Sequence, residues 1–282
     1  MPRVWLNDHF CNIQDAKVSV LDRGFLYGDG IYEIIPVYQG HPLQTDLHID
    51  RLLNGLAEIR INDSLGRAGW IELVDNLLNE NKAGDVSVYI QVTRGTPSYR
   101  DHAFPDDIPP TVFAMCSPLP QLSKELIEKG VSVITRPDSR WARCDIKAIS
   151  LLANVLLRQQ AVDDGAAETI LYDGERVTEG SASSVFAVTD SIIKTPPNTT
   201  AILPGTTREL ILHLARQSNM EAVESEISLT ELRNADEVWL CSSLRELLPV
   251  CMLDGNPVGS GTPGPLFKTL HASYQEHKRS LR

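Results

Sequence analysis

The spacing of apolar side chains changes period several times along the chain, and each change predicts an element. Ile31 to Gln39, IYEIIPVYQ, is rich in β-branched and aromatic residues and runs into Gly40, which predicts a strand entering a turn. From Thr45 the period lengthens: Leu47, Leu52, Leu53, Leu56 and Ile59 recur at helical spacing, with Thr45 or Asp46 placed to cap the helix. A second helix is expected near Trp70 to Glu80, then a buried strand over Asp85 to Gly95 and another at TVFAMC. The proline-spaced SPLPQLS (Ser117 to Ser123) follows. It places a linker at 119–123, between an N-terminal domain of residues 1–118 and a C-terminal domain of residues 124–282.

Beyond the linker the pattern predicts a short helix (Lys124 to Gly130), a strand (Val131 to Thr135) and a helix ending near Asp163, with Lys147 at its start. A hairpin around Asp173-Gly174, a strand at SVFAVTD and an amphipathic helix at GTTRELILHLARQSNM come next. EVWLCSS reads as a strand, VCMLDGNPVG as a hairpin, and GPLFKTLHASYQEHKR as a closing helix with Pro265 in its first turn. The class is α+β, without the strict strand-helix alternation of a dinucleotide-binding sheet. Gly259 to Gly264, GSGTPG, matches a dinucleotide fingerprint in letters only: it follows a hairpin, contains a proline and reads as a turn.

Composition narrows the classes. With 282 residues, 42% hydrophobic and 22% charged, the chain can bury one large core or two ordinary ones. A net charge of −11 and the lack of any long basic run argue against a nucleic-acid or anionic-membrane partner. No apolar run approaches the roughly 20 residues that span a bilayer, and the N-terminal stretch lacks a signal-peptide layout, so a cytoplasmic location is expected. Cys11, Cys116, Cys144, Cys241 and Cys251 stand far apart with no C-x-x-C pair, which predicts reduced thiols and no metal centre.

Candidate chemistry centres on Lys147, in CDIKAISLLANVLL. Such a lysine either lays its stem along apolar surface with the ammonium in water, or sits partly desolvated, where its amine is a nucleophile toward carbonyl carbon. The second case suits pyridoxal phosphate, whose aldehyde forms a Schiff base with lysine. That cofactor needs a carboxylate at its ring nitrogen, and Glu179 in VTEGSASSVF is a candidate, otherwise a solvated turn acid. It also needs an anion site. LPGTTRELIL supplies a glycine, the hydroxyls of Thr206 and Thr207 and a helix start, although the two threonines read equally well as ordinary caps. Arg51 either completes that cradle or pairs with Asp46 or Asp50.

The blocks LDRGFLYGDGIYEIIPVYQG, HIDRL, IKAISLLANVL, TEGSASSVF, ILPGTTREL and SSLRELLPV, in this order and spacing from Leu21 to Val250, resemble the fold-type IV pyridoxal-phosphate enzymes. The resemblance implies a two-domain architecture, a smaller N-terminal α/β domain and a larger C-terminal pseudo-barrel. It makes Lys147 the Schiff-base lysine and proton carrier, Glu179 the ring-nitrogen partner, and Arg51, Thr206 and Thr207 phosphate ligands. Leu203, Ser183 and Ser243 are implied at the cofactor and Ser242 at the substrate. Within the family, Arg100-x-His102 with Tyr32 is similar to the substrate-carboxylate trap of the D-amino acid aminotransferases. Otherwise Arg100 and His102 are a solvated loop and Tyr32 a packed aromatic. In that group Arg100 and His102 reach in from the other subunit, which implies a homodimer with shared sites. D-alanine, D-glutamate and 2-oxoglutarate are the substrates implied, with a branched-chain aminotransferase or aminodeoxychorismate lyase as the alternative outcome on the same scaffold and a non-catalytic cofactor-binding protein as the remote one. Ala182 and Leu244 stand where relatives often have serine and threonine.

Overall fold

The computed structural model describes residues 2–82 and 84–281. In chain order its first half holds β1 (Arg3–Leu6), β2 (His9–Asn12), α1 (Arg23–Tyr27), β3 (Gly30–Tyr38), β4 (His41–Pro42), α2 (Thr45–Glu58), α3 (Gly66–Asn81), β5 (Val86–Thr93) and β6 (Thr111–Pro118). The remainder holds α4 (Lys124–Lys129), β7 (Val131–Pro137), α5 (Leu152–Asp163), β8 (Glu168–Asp173), β9 (Arg176–Gly180), β10 (Ser184–Thr189), β11 (Ile192–Thr195), α6 (Thr206–Gln217), β12 (Ala222–Glu224), α7 (Leu229–Arg233), β13 (Glu237–Ser242), β14 (Glu246–Leu253), β15 (Asn256–Pro257) and α8 (Pro265–Ser280). The fold is α+β, as expected.

Two compact units result. The first runs up to Leu119 and also claims Ile146–Leu151, and the second comprises Pro120–Asp145 and Leu152–Ser280. Residues 119–123 carry neither helix nor strand. The first unit is an antiparallel sheet of order β2-β1-β6-β5-β3-β4. Its long central pairing sets Tyr32 opposite Gln91 and Ile34 opposite Tyr89. Period two on β3 sends Ile31, Glu33 and Ile35 to one face and Tyr32 and Ile34 to the other. Ile31 and Ile35 join Ile49, Leu52 and Leu56 of α2 and Trp70, Val74 and Leu77 of α3 in one buried core. That apolar stripe, not propensity, holds both helices. Gln44 in the left-handed region precedes α2 and no side chain caps it, so Thr45 and Asp46 are not its caps: Thr45 is already the first helical residue. Asp46 instead binds Arg67 of α3, as does Asp50.

The second unit is a nine-stranded mixed sheet, β12-β11-β10-β13-β14-β7-β8-β9 with β15 on β14, in which β9 curls back against β10. Its parallel pairs are β11 with β12, β14 with β7 and β7 with β8. Val133, Ile170, Val185, Val238 and Val250 meet in its core. Five cysteines are free thiols, three of them buried. Among the described residues no helix is long and apolar enough to cross a membrane, and no cluster of metal-ligating side chains occurs.

Candidate active site

Lys147 does not stand on a helix. α5 begins five residues later, and Lys147 lies in an extended stretch beside β3. The Tyr32 N–H donates to the Lys147 carbonyl at 3.0 Å, the Ile149 N–H donates to the Gly30 carbonyl at 3.1 Å, and Ala148 bridges Ile31. Ile146 and Ala148 therefore pack into the α2–α3 core while the residue between them points the other way. Lys147 is half-buried, and its Nζ sits 4.1 Å from the centre of the Tyr32 ring. No carboxylate pairs with it among the described residues. Two glycines lie at this approach: Gly28, at φ +65°, would press a Cβ to 2.7 Å from Ser150 Oγ, and a Cβ on Gly30 would lie 2.5 Å from the Val92 carbonyl of β5 and 3.1 Å from Ile149 Cδ1.

Arg51 lies on the buried side of α2. It grips Glu33 of β3, Nε to Oε2 at 2.9 Å and Nη2 to Oε1 at 2.6 Å, and His48 Nδ1 lies 2.9 Å from the same Oε1, while Asp46 and Asp50 bind Arg67. Glu33 is fully buried, and burial alone would neutralise it. The Arg51 guanidinium and His48 more than offset that and hold its carboxyl well below the usual carboxylate range. Burial pushes His48 below its ordinary value; Glu33 opposes this, while the Arg51 and Lys147 charges add to it. The first unit thus joins Tyr32, Lys147, Glu33, His48 and Arg51.

Glu179 is not in a turn. It lies on β9, buried at 6% exposure, because the strand begins earlier and the SASS segment turns only after Gly180. Arg140 Nη1 donates to its Oε1 at 2.5 Å, and the Leu203 N–H reaches both carboxylate oxygens at 3.2 Å. Arg140 is itself locked to Asp138 through Nε at 3.0 Å and Nη2 at 2.7 Å. Burial pushes the Glu179 carboxyl up to about 7, with Arg140 and Leu203 opposing and Asp138 adding.

Thr206 and Thr207 open α6, both buried, behind Gly205 at the N-cap with no side-chain cap. A Cβ on Gly205 would come within 2.7 Å of Ser184 Oγ and 3.1 Å of Arg208 Cβ, so neighbouring side chains crowd this approach. Ser183 Oγ donates to fully buried Glu168 at 3.4 Å. Ser242 ends β13 and accepts from the Arg245 N–H, with Ser243 next in the turn. Arg100 and His102 lie on the exposed loop after β5, both against Tyr27: the Arg100 guanidinium is 4.9 Å from that ring and the His102 ring 5.2 Å. Among the described residues no bond or ring contact ties either to Tyr32 or Lys147.

A half-buried amine beside one strand, a buried carboxyl and a helix start with two buried threonines are features that an aldehyde cofactor with a ring nitrogen and a phosphate requires. The family model for amino-transferase class IV matches residues 30–253. The chain belongs to this family. A D-alanine aminotransferase of Bacillus licheniformis is 39% identical over 97% of this chain and 96% of its own, and one of Listeria monocytogenes is 37% identical over 97% and 95%. Among solved structures, the Escherichia coli branched-chain amino acid aminotransferase matches at TM-score 0.90 and 26% identity, covering 97% of this chain and 93% of that one. The T.th. branched-chain enzyme with pyridoxamine 5′-phosphate matches at TM-score 0.92 and 26% identity, covering 99% and 95%. In this class IV aminotransferase, Glu33 and His48 at Arg51, and Arg140 and Asp138 at Glu179, are contacts of the candidate residues that reading the sequence did not single out. The one available signal for Glu33 was an acid on an otherwise apolar strand.

Proposed function

We propose that this class IV aminotransferase transfers amino groups between D-amino acids and 2-oxo acids, D-alanine and 2-oxoglutarate giving pyruvate and D-glutamate by a ping-pong route, with pyridoxal 5′-phosphate as cofactor. The observation that carries the aminotransferase reading is Lys147: a half-buried amine held by strand-like bonds and free of any carboxylate partner among the described residues. The choice of D-alanine rests on the full-length likeness to the two D-alanine aminotransferases.

The residues fit the cofactor. Lys147 would form its Schiff base, Glu179 and Leu203 would meet its ring side, and Thr206, Thr207 and Arg51 its phosphate, with Ser183 and Ser243 nearby. When bound, the cofactor ring accepts the electron pair left on the substrate α-carbon. Lys147 Nζ would carry the α-proton from the substrate to the cofactor's former aldehyde carbon in one half-reaction and carry one back in the other. Glu179 Oε2, less committed than the Oε1 that Arg140 holds, keeps a proton at the ring nitrogen. Tyr32, Ser242, Arg100 and His102 would bind substrate, the last two offered to the partner's site in a homodimer. The division into domains 1–118 and 124–282 about a linker and a cytoplasmic location belong to the same proposal.

The branched-chain reading is kept because both solved structures described above carry that name. Assaying D- and L-alanine, D- and L-valine and D- and L-leucine against 2-oxoglutarate, with keto-acid release measured, separates the two. D-alanine turnover well above every L-substrate is expected. Preference for L-leucine or L-valine would replace the first reading with the second.

A further inference from the structure

Arg23, the basic residue of the LDRG block, has no part in the chemistry described so far, yet it is 4% exposed. Its Nε donates to Asp29 Oδ2 at 2.7 Å. Charge balance on Asp29 does not require it, since Arg94 grips the same carboxylate with Nε at 2.8 Å and Nη2 at 3.0 Å. What Arg23 adds is on its other side. Nη1 donates to the Asp101 carbonyl at 2.5 Å and the Ala103 carbonyl at 3.1 Å, and Nη2 donates to the His102 carbonyl at 3.2 Å. Three consecutive backbone carbonyls of an exposed loop are thus bound from beneath by one buried guanidinium. Loops of this kind are ordinarily held by their own turns and move freely at the surface. The ring of Tyr27 adds a post: Arg23, Arg100 and His102 all stand against it, Arg23 at 4.8 Å.

We propose that Arg23 is the positioning residue of the substrate-carboxylate loop, its fork on the carbonyls of residues 101–103 fixing the directions in which Arg100 and His102 project. The proposal rests on the carboxylate role given to that loop above. A guanidinium suits the task because its planar array of five donors can serve a carboxylate on one edge and carbonyls on the other; an ammonium offers three donors from a single point and cannot span both.

The test compares holoenzyme of wild type, Arg23→Lys, Arg100→Ala and the double variant. Arg23→Lys keeps a positive charge against Asp29. In Arg23→Lys, hydrogen exchange of the peptide 99–104, measured without substrate, should quicken, KM for D-alanine should rise about tenfold, and kcat and the bound-cofactor spectrum should stay within about twofold of wild type. In the Arg100→Ala background the same substitution should change KM by less than about twofold, because both act through one loop. Unchanged exchange of 99–104, or a KM rise that multiplies in full in the double variant, overturns the proposal. Quickened exchange with an Arg100→Ala that leaves KM untouched overturns the loop's carboxylate role while the clamp itself stands. Should Arg23→Lys not fold, Tyr27→Leu removes the post but leaves the Arg23 bonds, so exchange of 99–104 should stay within about twofold of wild type; exchange quickened about tenfold or more would overturn the proposal, because the ring and not the fork would then hold the loop.

Discussion

Burial pushes the Glu179 carboxyl up to about 7 from an ordinary 4.5, with the Arg140 guanidinium and the Leu203 N–H opposing. The sign of the consequence follows from proton counting: between those values the folded chain keeps a proton that the unfolded chain releases, so stability of the cofactor-free protein falls as pH rises through this window. Glu179→Gln removes the titration. Denaturant unfolding at about pH 5 and about pH 8 should show a loss on the order of 1–3 kcal/mol in wild type beyond that in the variant. Equal pH dependence in the two proteins would mean that Arg140 already holds Glu179 fully ionised. For function the same substitution should leave cofactor bound but remove most of the single-turnover rate with D-alanine, since an amide keeps no exchangeable proton for a ring nitrogen. An unchanged rate would return Glu179 to a structural part in the Asp138–Arg140 network.

At the scale of elements, the start of α6 is crowded by side chains. Gly205 has φ −74° and ψ 122°, which any residue adopts, so its glycine is explained by space and not by backbone conformation. Gly205→Ala must push Ser184 Oγ and Arg208 aside, so it should cost the cofactor-free protein on the order of 1–3 kcal/mol and, by shifting the start of α6, raise the cofactor dissociation constant about tenfold or more, read by absorbance titration; unaltered affinity in the face of that cost would exclude the start of α6 from the phosphate site. Helices α2, α3, α6 and α8 and strands β3, β5 and β13 were legible in the sequence because each buries one periodic face against a core. Strands β1 and β2 were not: four residues each, half-exposed, they exist by pairing with each other and, through Trp5 and Leu6, with Ala114 and Phe113 of β6. Glu179 was misread as a turn acid for a related reason. VTEG carries little apolar signal, and its strand is set by pairing with β8.

For the whole molecule, local pattern fails where the chain returns over long separations. Lys147 read as a helix start because apolar residues continue into α5; its extended course comes from bonds to β3, more than a hundred residues earlier, which no window on the sequence contains. The meaning of Glu33 likewise needed α2 to be placed across from β3. The separation of Arg100 and His102 from Tyr32 and Lys147 has a consequence for assembly. If the loop serves the partner's site in a homodimer, each site draws Lys147 from one chain and Arg100 from the other. A Lys147→Ala protein and an Arg100→Ala protein, mixed under conditions that exchange subunits, should then form heterodimers with one site holding both defects and one holding neither. D-alanine turnover should reappear, approaching one intact site per heterodimer, although Lys147→Ala alone should be inactive and Arg100→Ala alone should bind D-alanine about 10- to 150-fold more weakly for want of a charge-assisted carboxylate bond worth roughly 1.5–3 kcal/mol. Subunit exchange is checked by native mass spectrometry of a tagged and an untagged chain. With exchange established, no gain over the sum of the two parents would assign Arg100 to its own chain's site or remove it from substrate binding.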